Sequence, residues 1–107
     1  MAGPLAGVRI LDLTTVVMGP FATQILGDMG ADVIKVEAPS GDSMRKVGPF
    51  ANPDMGPLYL QANRNKRSIV LNLKDAADKA TLLQLVKQVD ALVYNIRPPA
   101  MRRLGLD

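Results

Sequence analysis

The sequence predicts an α/β fold with flanking helices around a mostly parallel sheet. Apolar strand-like segments alternate with helical segments in the order βαβ, loop, βαβα. The strand-like segments are nearly continuously apolar, which is typical of strands covered on both faces. Apolar residues make up 48% of the 107 residues, enough for one hydrophobic core. Because no closing element follows Arg103, we expect residues 1–107 to form a partial domain, the incomplete N-terminal part of a larger fold.

Residues 8–37 form the first predicted strand-helix-strand unit. The apolar run Val8–Leu13 predicts the first strand. Pro20 suits the first turn of the helix that follows, since its missing N–H is not needed there. Gly30 predicts the end of that helix, because glycine adopts the left-handed cap conformation without penalty. The second strand is predicted at Val33–Glu37.

Residues 38–57 are predicted to form a long loop, because they contain four prolines and three glycines. A loop longer than about 12–15 residues inside a compact domain is usually functional or disordered. The segment LYLQAN predicts a short helical turn, and NRNKR after it predicts a basic loop. The third strand is predicted at Ser68–Leu73.

The last part of the chain predicts a second helix, a fourth strand and a short final helix. Asp75 suits the N-cap of a helix that ends near Gln88, and Asp78 favours the positive end of its dipole. Strand four is predicted at Ala91–Asn95. Pro99 then suits the first turn of a short helix that Gly105 closes.

The composition excludes several classes of function. The chain has no cysteine and no histidine, which excludes disulfides, thiolate catalysis, Cys-type zinc sites and a Ser-His triad. We expect no metal and no nucleic-acid partner, because the net charge is only +3 and four aromatic residues are available for base stacking. No apolar run approaches the ~18 residues of a membrane span, and no signal peptide is evident, so a cytoplasmic protein without membrane contact is predicted.

A dinucleotide site is disfavoured, although Glu37 lies where a ribose-binding acid would. The turn after strand one, TTVVMGPFATQ, has one glycine and a proline in place of G-x-G-x-x-G. Glu37 is then expected to be a surface acid, paired with Lys35 or a loop cation. Asp12 and Asp28 are expected to have structural roles. Lys66 could be a catalytic amine only if buried, which a basic loop argues against.

Ligands of parallel α/β sheets bind at the carboxyl ends of strands. Those ends are predicted at residues 16–18, 71–74 and 95–97, with Lys74, Arg97, Arg102 and Arg103 around them. Arg103 lies one turn into a helix that follows Asn95, so it can point back to the same crevice. This distribution suits a ligand with several phosphates. The alternative is that each cation is an ordinary solvated residue beside a helix.

Four blocks of the sequence, in order, also carry a family pattern: PLAGVRILDLT, GPFATQILGDMGADVIKVE, NRNKRSIVLNLK and NIRPPAMRRLGL. With these blocks the chain resembles the family III CoA-transferases, which include formyl-CoA transferase and carnitine CoA-transferase. The α-methylacyl-CoA racemases share that Rossmann-like fold. The resemblance implies coenzyme A as co-substrate, bound by residues at these strand ends: Val17, Met18, Leu71, Asn72, Leu73, Lys74, Asn95, Ile96, Arg97 and Arg103.

The resemblance also implies a reaction that moves coenzyme A (CoA) between an acyl-CoA and a carboxylic acid in an interlocked homodimer. The nucleophile of the family is a downstream aspartate, which Asp107 does not match by motif. We therefore expect a truncated N-terminal segment with part of the CoA site, no catalytic residue and no activity alone. Two positions depart from the pattern: Ala38 replaces a common arginine, and Asn72 replaces an aspartate.

Three alternatives remain open at this point. The first is part of a racemase-like enzyme, the second a non-catalytic CoA- or nucleotide-binding remnant, and the third an α/β segment with no ligand. The dense positive charge of Arg64, Lys66 and Arg67 also has two interpretations. It forms either a positively charged wall beside the site or a salt-bridged structural block.

Overall fold

The computed structural model describes residues 3–49 and 51–106, so Asp107 lies outside the described part. Four strands form one sheet in the order β3-β2-β1-β4, and every neighbouring pair is parallel. These strands are β1 (Arg9–Leu13), β2 (Asp32–Glu37), β3 (Lys66–Val70) and β4 (Ala91–Tyr94). The predicted α/β class with a parallel sheet is confirmed.

Four α-helices flank the sheet: α1 (Met18–Asp28), α2 (Pro57–Ala62), α3 (Ala76–Val86) and α4 (Pro98–Leu104). A 3₁₀ turn at Ser43–Lys46 lies within the long loop 38–57. Helix α1 begins two residues before the predicted Pro20, and α3 ends two residues before Gln88. Within the described residues, no helix is long and apolar enough to cross a bilayer.

The two faces of the sheet bury different helices, because side chains alternate along each strand. On one face Leu11, Leu13 and Val36 pack against Leu82 of α3. On the other face Ile10 and Val33 pack with partly buried Leu26 of α1. A parallel sheet with helices packed on both faces in this way has a doubly wound α/β topology.

The predicted helix boundaries rest on caps that the structure confirms. The Asp75 side chain accepts a hydrogen bond from the Asp78 backbone N–H at 3.2 Å. Gly105 closes α4 with φ 71° in the left-handed region, and Gly30 follows α1 with φ 103°.

The third strand begins two residues and ends three residues earlier in the chain than predicted. It spans Lys66–Val70 rather than Ser68–Leu73, with Val33 opposite Lys66 and Glu37 opposite Val70. Two cations of the supposed basic loop are therefore strand residues. Arg67 is exposed on this edge strand, where charge opposes unwanted strand pairing, whereas the Lys66 side chain is buried. As a result, residues 71–74 form the turn that leads to α3, and the Leu71 N–H still donates to the Glu37 carbonyl of β2 at 2.9 Å.

Candidate functional site

The carboxyl edge of the sheet contains a crevice lined by residues at or just after the ends of all four strands. The chain leaves β1 for α1 on one face, whereas α3, which precedes β4, packs on the other face. Loops that diverge in this way leave an opening between the two strands, where ligands of open α/β sheets bind. The turn 71–74 after β3 reaches the same edge.

A cleft of about 220 Å³ lies at this edge. Its walls are mostly apolar, with Asn72 and Lys74 as the longer polar side chains. The lining residues are Leu13, Thr15, Val36, Ala38, Leu71, Asn72, Leu73, Lys74, Ile96 and Leu104. Pockets for whole small ligands span about 300–1,000 Å³, so this cleft fits one part of a ligand as large as a coenzyme.

The cleft brings together five of the ten predicted site residues. Residues 71–74 and Ile96 line it, and the other five do not. Val17 lines a separate groove between α1 and α2, and Met18 is 84% exposed at the start of α1. Arg97 and Arg103 are exposed at the two ends of α4.

The turn after β3 has a defined conformation. The Asn72 backbone N–H donates to Asp78 Oδ2 at 2.8 Å, and Asn72 Oδ1 accepts from the Lys74 N–H at 3.1 Å. An asparagine fills this role as well as an aspartate would, because both side chains accept a local backbone hydrogen bond. The Lys74 side chain is exposed.

Asn95 does not line the cleft, because its side chain is bonded to the loop after β1. Asn95 Oδ1 accepts from the Thr15 N–H at 3.1 Å, and Asn95 Nδ2 donates to the Thr15 carbonyl at 2.9 Å. No local sequence pattern predicts this pairing, since the two residues are 80 positions apart.

Two buried ion pairs lie behind the site, on the face of the sheet that packs on α1. Lys35 Nζ is 2.7 Å from Asp42 Oδ2, and Lys66 Nζ is 2.9 Å from Asp12 Oδ2. Asn63 Oδ1 accepts from both lysines, at 2.9 and 2.8 Å. The four charges cancel, and the shared amide joins the two pairs into one network.

The prediction that Lys66 lies in a solvated loop was wrong. Its side chain is only 2% exposed, because Lys66 is the first residue of β3 and faces Asp12 across the sheet. Burial is the main cause that lowers the pKa of Lys66, and the Asp12 carboxylate opposes it. The three donors of the ammonium group are used by Asp12, Asn63 and the Pro20 carbonyl. Lys66 therefore has no free N–H with which to act as a catalytic amine.

Asp12 has the structural role that the sequence predicted. Burial alone would raise its pKa, but hydrogen bonds from Thr14, Lys66 and Thr23 outweigh burial and lower it. The Thr23 hydroxyl, for example, donates to Asp12 Oδ2 at 2.7 Å. The carboxylate is thus held ionised inside the protein.

Glu37 was predicted to be a surface acid, but it is only 3% exposed. Its partner is the loop cation Arg45, with contacts of 2.7 and 2.8 Å, while Lys35 pairs with Asp42 instead. Burial opposes ionisation of Glu37, yet hydrogen bonds from Arg45, Ser68 and the Asp42 N–H lower its pKa to about 2. Both oxygens are occupied, so Glu37 is not free to bind a ribose.

Arg45 also lies over the ring of Tyr59, 3.8 Å from its centroid. Burial, followed by the charge of Glu37, raises the pKa of Tyr59 to about 12. The loop 38–57 is therefore attached to the sheet by Asp42 and Arg45, two residues of opposite charge.

The basic segment Arg64–Arg67, which leads into β3, is a salt-bridged structural block. Arg64 pairs with Asp28 at 3.0 Å and Arg67 pairs with Asp32 at 2.7 Å. The third cation, Lys66, holds Asp12 as described above, and none of the three lines the cleft. Alternation along β3 would not have placed Lys66 inside, because Ser68 and Val70, which share its face, are exposed.

Comparison with known proteins identifies the family of this chain. Residues 5–107 match the profile of CoA-transferase family III. The chain belongs to CoA-transferase family III. It is 47% identical over 106 residues to the acetyl-CoA:oxalate CoA-transferase of Acetobacter aceti, covering 98% of this chain and 27% of that one. It is 49% identical over 105 residues to the succinyl-CoA:glutarate CoA-transferase of mouse, covering 96% and 24%.

The structure of this family III chain agrees with solved relatives. A CAIB/BAIF family protein from Brucella suis superposes with a TM-score of 0.92 at 33% identity, covering 100% of this chain and 29% of that one. The chain spans about a quarter of the length of the curated relatives it matches.

Proposed function

We propose that the cleft at the carboxyl edge of the sheet binds part of coenzyme A. In this proposal the family III chain supplies that part of the site to an enzyme that transfers CoA between an acyl-CoA and a carboxylic acid. The observation that carries it is the cleft itself, where residues 71–74 and Ile96 meet at the carboxyl ends of the four strands. The named activities of the acetyl-CoA:oxalate and succinyl-CoA:glutarate relatives support the same reaction class.

The cleft and its surroundings suit both the apolar parts and the phosphate groups of coenzyme A. Apolar walls can cover a flat or aliphatic part of the ligand, and the turn 71–74 offers backbone groups at its edge. Lys74, Arg97, Arg102 and Arg103 are exposed around this edge. Guanidinium and ammonium groups in such positions bind phosphates. Val17 and Met18 are proposed as further contacts from the loop after β1.

We do not assign a nucleophile to the described residues. None of the described carboxylates lines the cleft, and Asp12, Glu37 and Asp42 are held in buried ion pairs. A carboxylate that attacks a thioester must be free and close to the acyl carbon. The role proposed for residues 3–106 is therefore binding and orientation, with turnover dependent on groups outside them.

A cytoplasmic homodimer is the proposed setting for this site. Large apolar side chains are exposed on α1, α2 and the β4 edge, among them Phe21, Leu58, Leu60, Leu92 and Tyr94. Exposed apolar surface of this extent suits contact with further protein.

Binding is tested by titrating the isotopically labelled chain with coenzyme A and following backbone amide shifts. Shifts at Leu71, Leu73, Lys74 and Ile96 are expected, with small effects at Gln84 on the solvent side of α3. Shifts confined to the groove between α1 and α2, or no shifts at millimolar CoA, would contradict the proposed site.

The reaction class is tested in a chimera, with this chain in place of the matching segment of the A. aceti enzyme. The expected result is exchange of CoA between acetyl-CoA and oxalate. Hydrogen exchange at the acyl α-carbon without CoA transfer would point to racemase chemistry instead. A folded chimera without either activity would contradict an acyl-CoA role for this segment.

A further inference from the structure

The loop between β1 and α1 has an unusual backbone at the edge of the cleft. Thr15 of this loop lines the cleft. The next residue, Val16, has φ 75°, in the left-handed region that a β-branched side chain rarely adopts. A backbone of this kind persists only when surrounding contacts determine it.

One set of contacts comes from the end of β4. The carboxamide of Asn95 makes two hydrogen bonds to the backbone of Thr15, as acceptor at 3.1 Å and as donor at 2.9 Å. Leu13 and Tyr94 are partners in the sheet, so these bonds extend the contact between the adjacent strands β1 and β4 by two residues on β1 and one on β4. The Asn95 side chain thus makes hydrogen bonds to the Thr15 backbone like those that a backbone partner makes in a sheet.

A second contact comes from the long loop. The Val16 N–H donates to Asp42 Oδ1 at 3.4 Å, and the other oxygen of Asp42 is held by Lys35 at 2.7 Å. The Lys35 and Asp42 side chains are 1% and 0% exposed, so this support is rigid. The Thr15–Val16 backbone is therefore held from two sides before any ligand arrives.

We propose that Asn95 is a positioning residue that fixes the Thr15–Val16 backbone, and that it acts on coenzyme A only through that backbone. Its Oδ1 and one of its two N–H groups are engaged on Thr15, and Asn95 does not line the cleft, so its effect on the ligand is assigned to the backbone that it holds. The consequence for affinity rests on the proposed CoA site, whereas the effect on the loop does not.

The experiment compares Asn95→Ala, Asn95→Asp and the wild-type chain, with Gln84→Ala as a matched control on the exposed side of α3. Amide hydrogen exchange at Thr15 is measured without ligand, and the dissociation constant of coenzyme A is measured by titration. Asn95→Ala is expected to accelerate exchange at Thr15 about tenfold, as the loss of one hydrogen bond implies, and to weaken CoA binding. Gln84→Ala should change neither quantity.

Unchanged exchange at Thr15 in a folded Asn95→Ala chain would overturn the proposal, even if CoA binding weakened, because the effect would then be direct contact. Faster exchange in a chain that does not bind CoA would support the positioning role and refute the proposed function separately. If Asn95→Ala does not fold, Asn95→Asp decides, since its carboxylate can still accept from the Thr15 N–H. A protected Thr15 amide in that variant supports the proposal, and an unprotected one refutes it.

Discussion

Replacing Lys66 by methionine should destabilise the chain strongly, although Lys66 belongs to the most basic segment of the sequence. Methionine keeps most of the length of the side chain but removes the ammonium that contacts Asp12 at 2.9 Å. Asp12 would remain as a buried carboxylate without its cation. Breaking a buried ion pair in this way costs about 3–5 kcal/mol, a large share of the about 5–15 kcal/mol that stabilises a domain.

The neighbouring residue supplies the control for this prediction. Arg67 also pairs with an aspartate, at 2.7 Å, but its side chain is 67% exposed. Arg67→Met should therefore cost at most about 1 kcal/mol. The free energy of unfolding is measured for both variants by urea denaturation followed by circular dichroism.

Two further results test the physical cause. The cost of Lys66→Met should shrink as the pH is lowered, since the pKa of Asp12 rises when its cation is removed and the carboxyl can protonate. The double variant Asp12→Asn with Lys66→Met should recover part of the loss, because no buried charge remains. Equal destabilisation by Lys66→Met and Arg67→Met would refute the argument from burial.

Glu37→Gln should flatten the loss of stability in acid. The pKa of Glu37 is lowered from 4.5 to about 2 in the folded chain. The stabilisation that ionised Glu37 contributes is therefore present above pH 4.5 and is lost as the pH falls towards 2. Measuring the free energy of unfolding as a function of pH in acid would detect this loss. Lys74→Glu should weaken CoA binding about tenfold in a titration, while Lys87→Glu, with the same charge change beyond α3, should have little effect; equal effects would indicate a general field rather than a site. Gly56→Ala should destabilise the loop, because its Cβ would clash with the Met44 carbonyl oxygen; an unchanged thermal midpoint would contradict this close contact.

The local features of the fold were predictable from the sequence because their causes are local. The Asp75 cap, the glycine at 105 and the apolar run of β1 each depend on residues within a few positions of one another. The cleft lining at residues 71–74 was predicted for a similar reason, because it follows directly from where a parallel strand ends.

The buried charges were not predictable from the same signals. Lys66 was assigned to a loop because cations usually face solvent, and only its distant partner Asp12 explains its burial. Glu37 was assigned to the surface for the same reason, although Arg45 and Ser68 enclose it. The bonds from Asn95 to Thr15 join the ends of two strands that are far apart in sequence, and no local pattern marks such a pair.

The attachment of the 38–57 loop has a consequence for protein engineering. Two loop residues form ion pairs with β2: Asp42 pairs with Lys35, and Arg45 pairs with Glu37. A relative without Lys35 and Glu37 has no need of Asp42 and Arg45 in its loop. If its loop replaced residues 38–57 here, the charges of Lys35 and Glu37 would be left buried and unpaired. The loop and the strand beneath it are therefore a single transferable module. Recombination between relatives that differ at these positions should fail when the crossover point lies between Lys35 and Arg45, because it separates the partners of at least one pair.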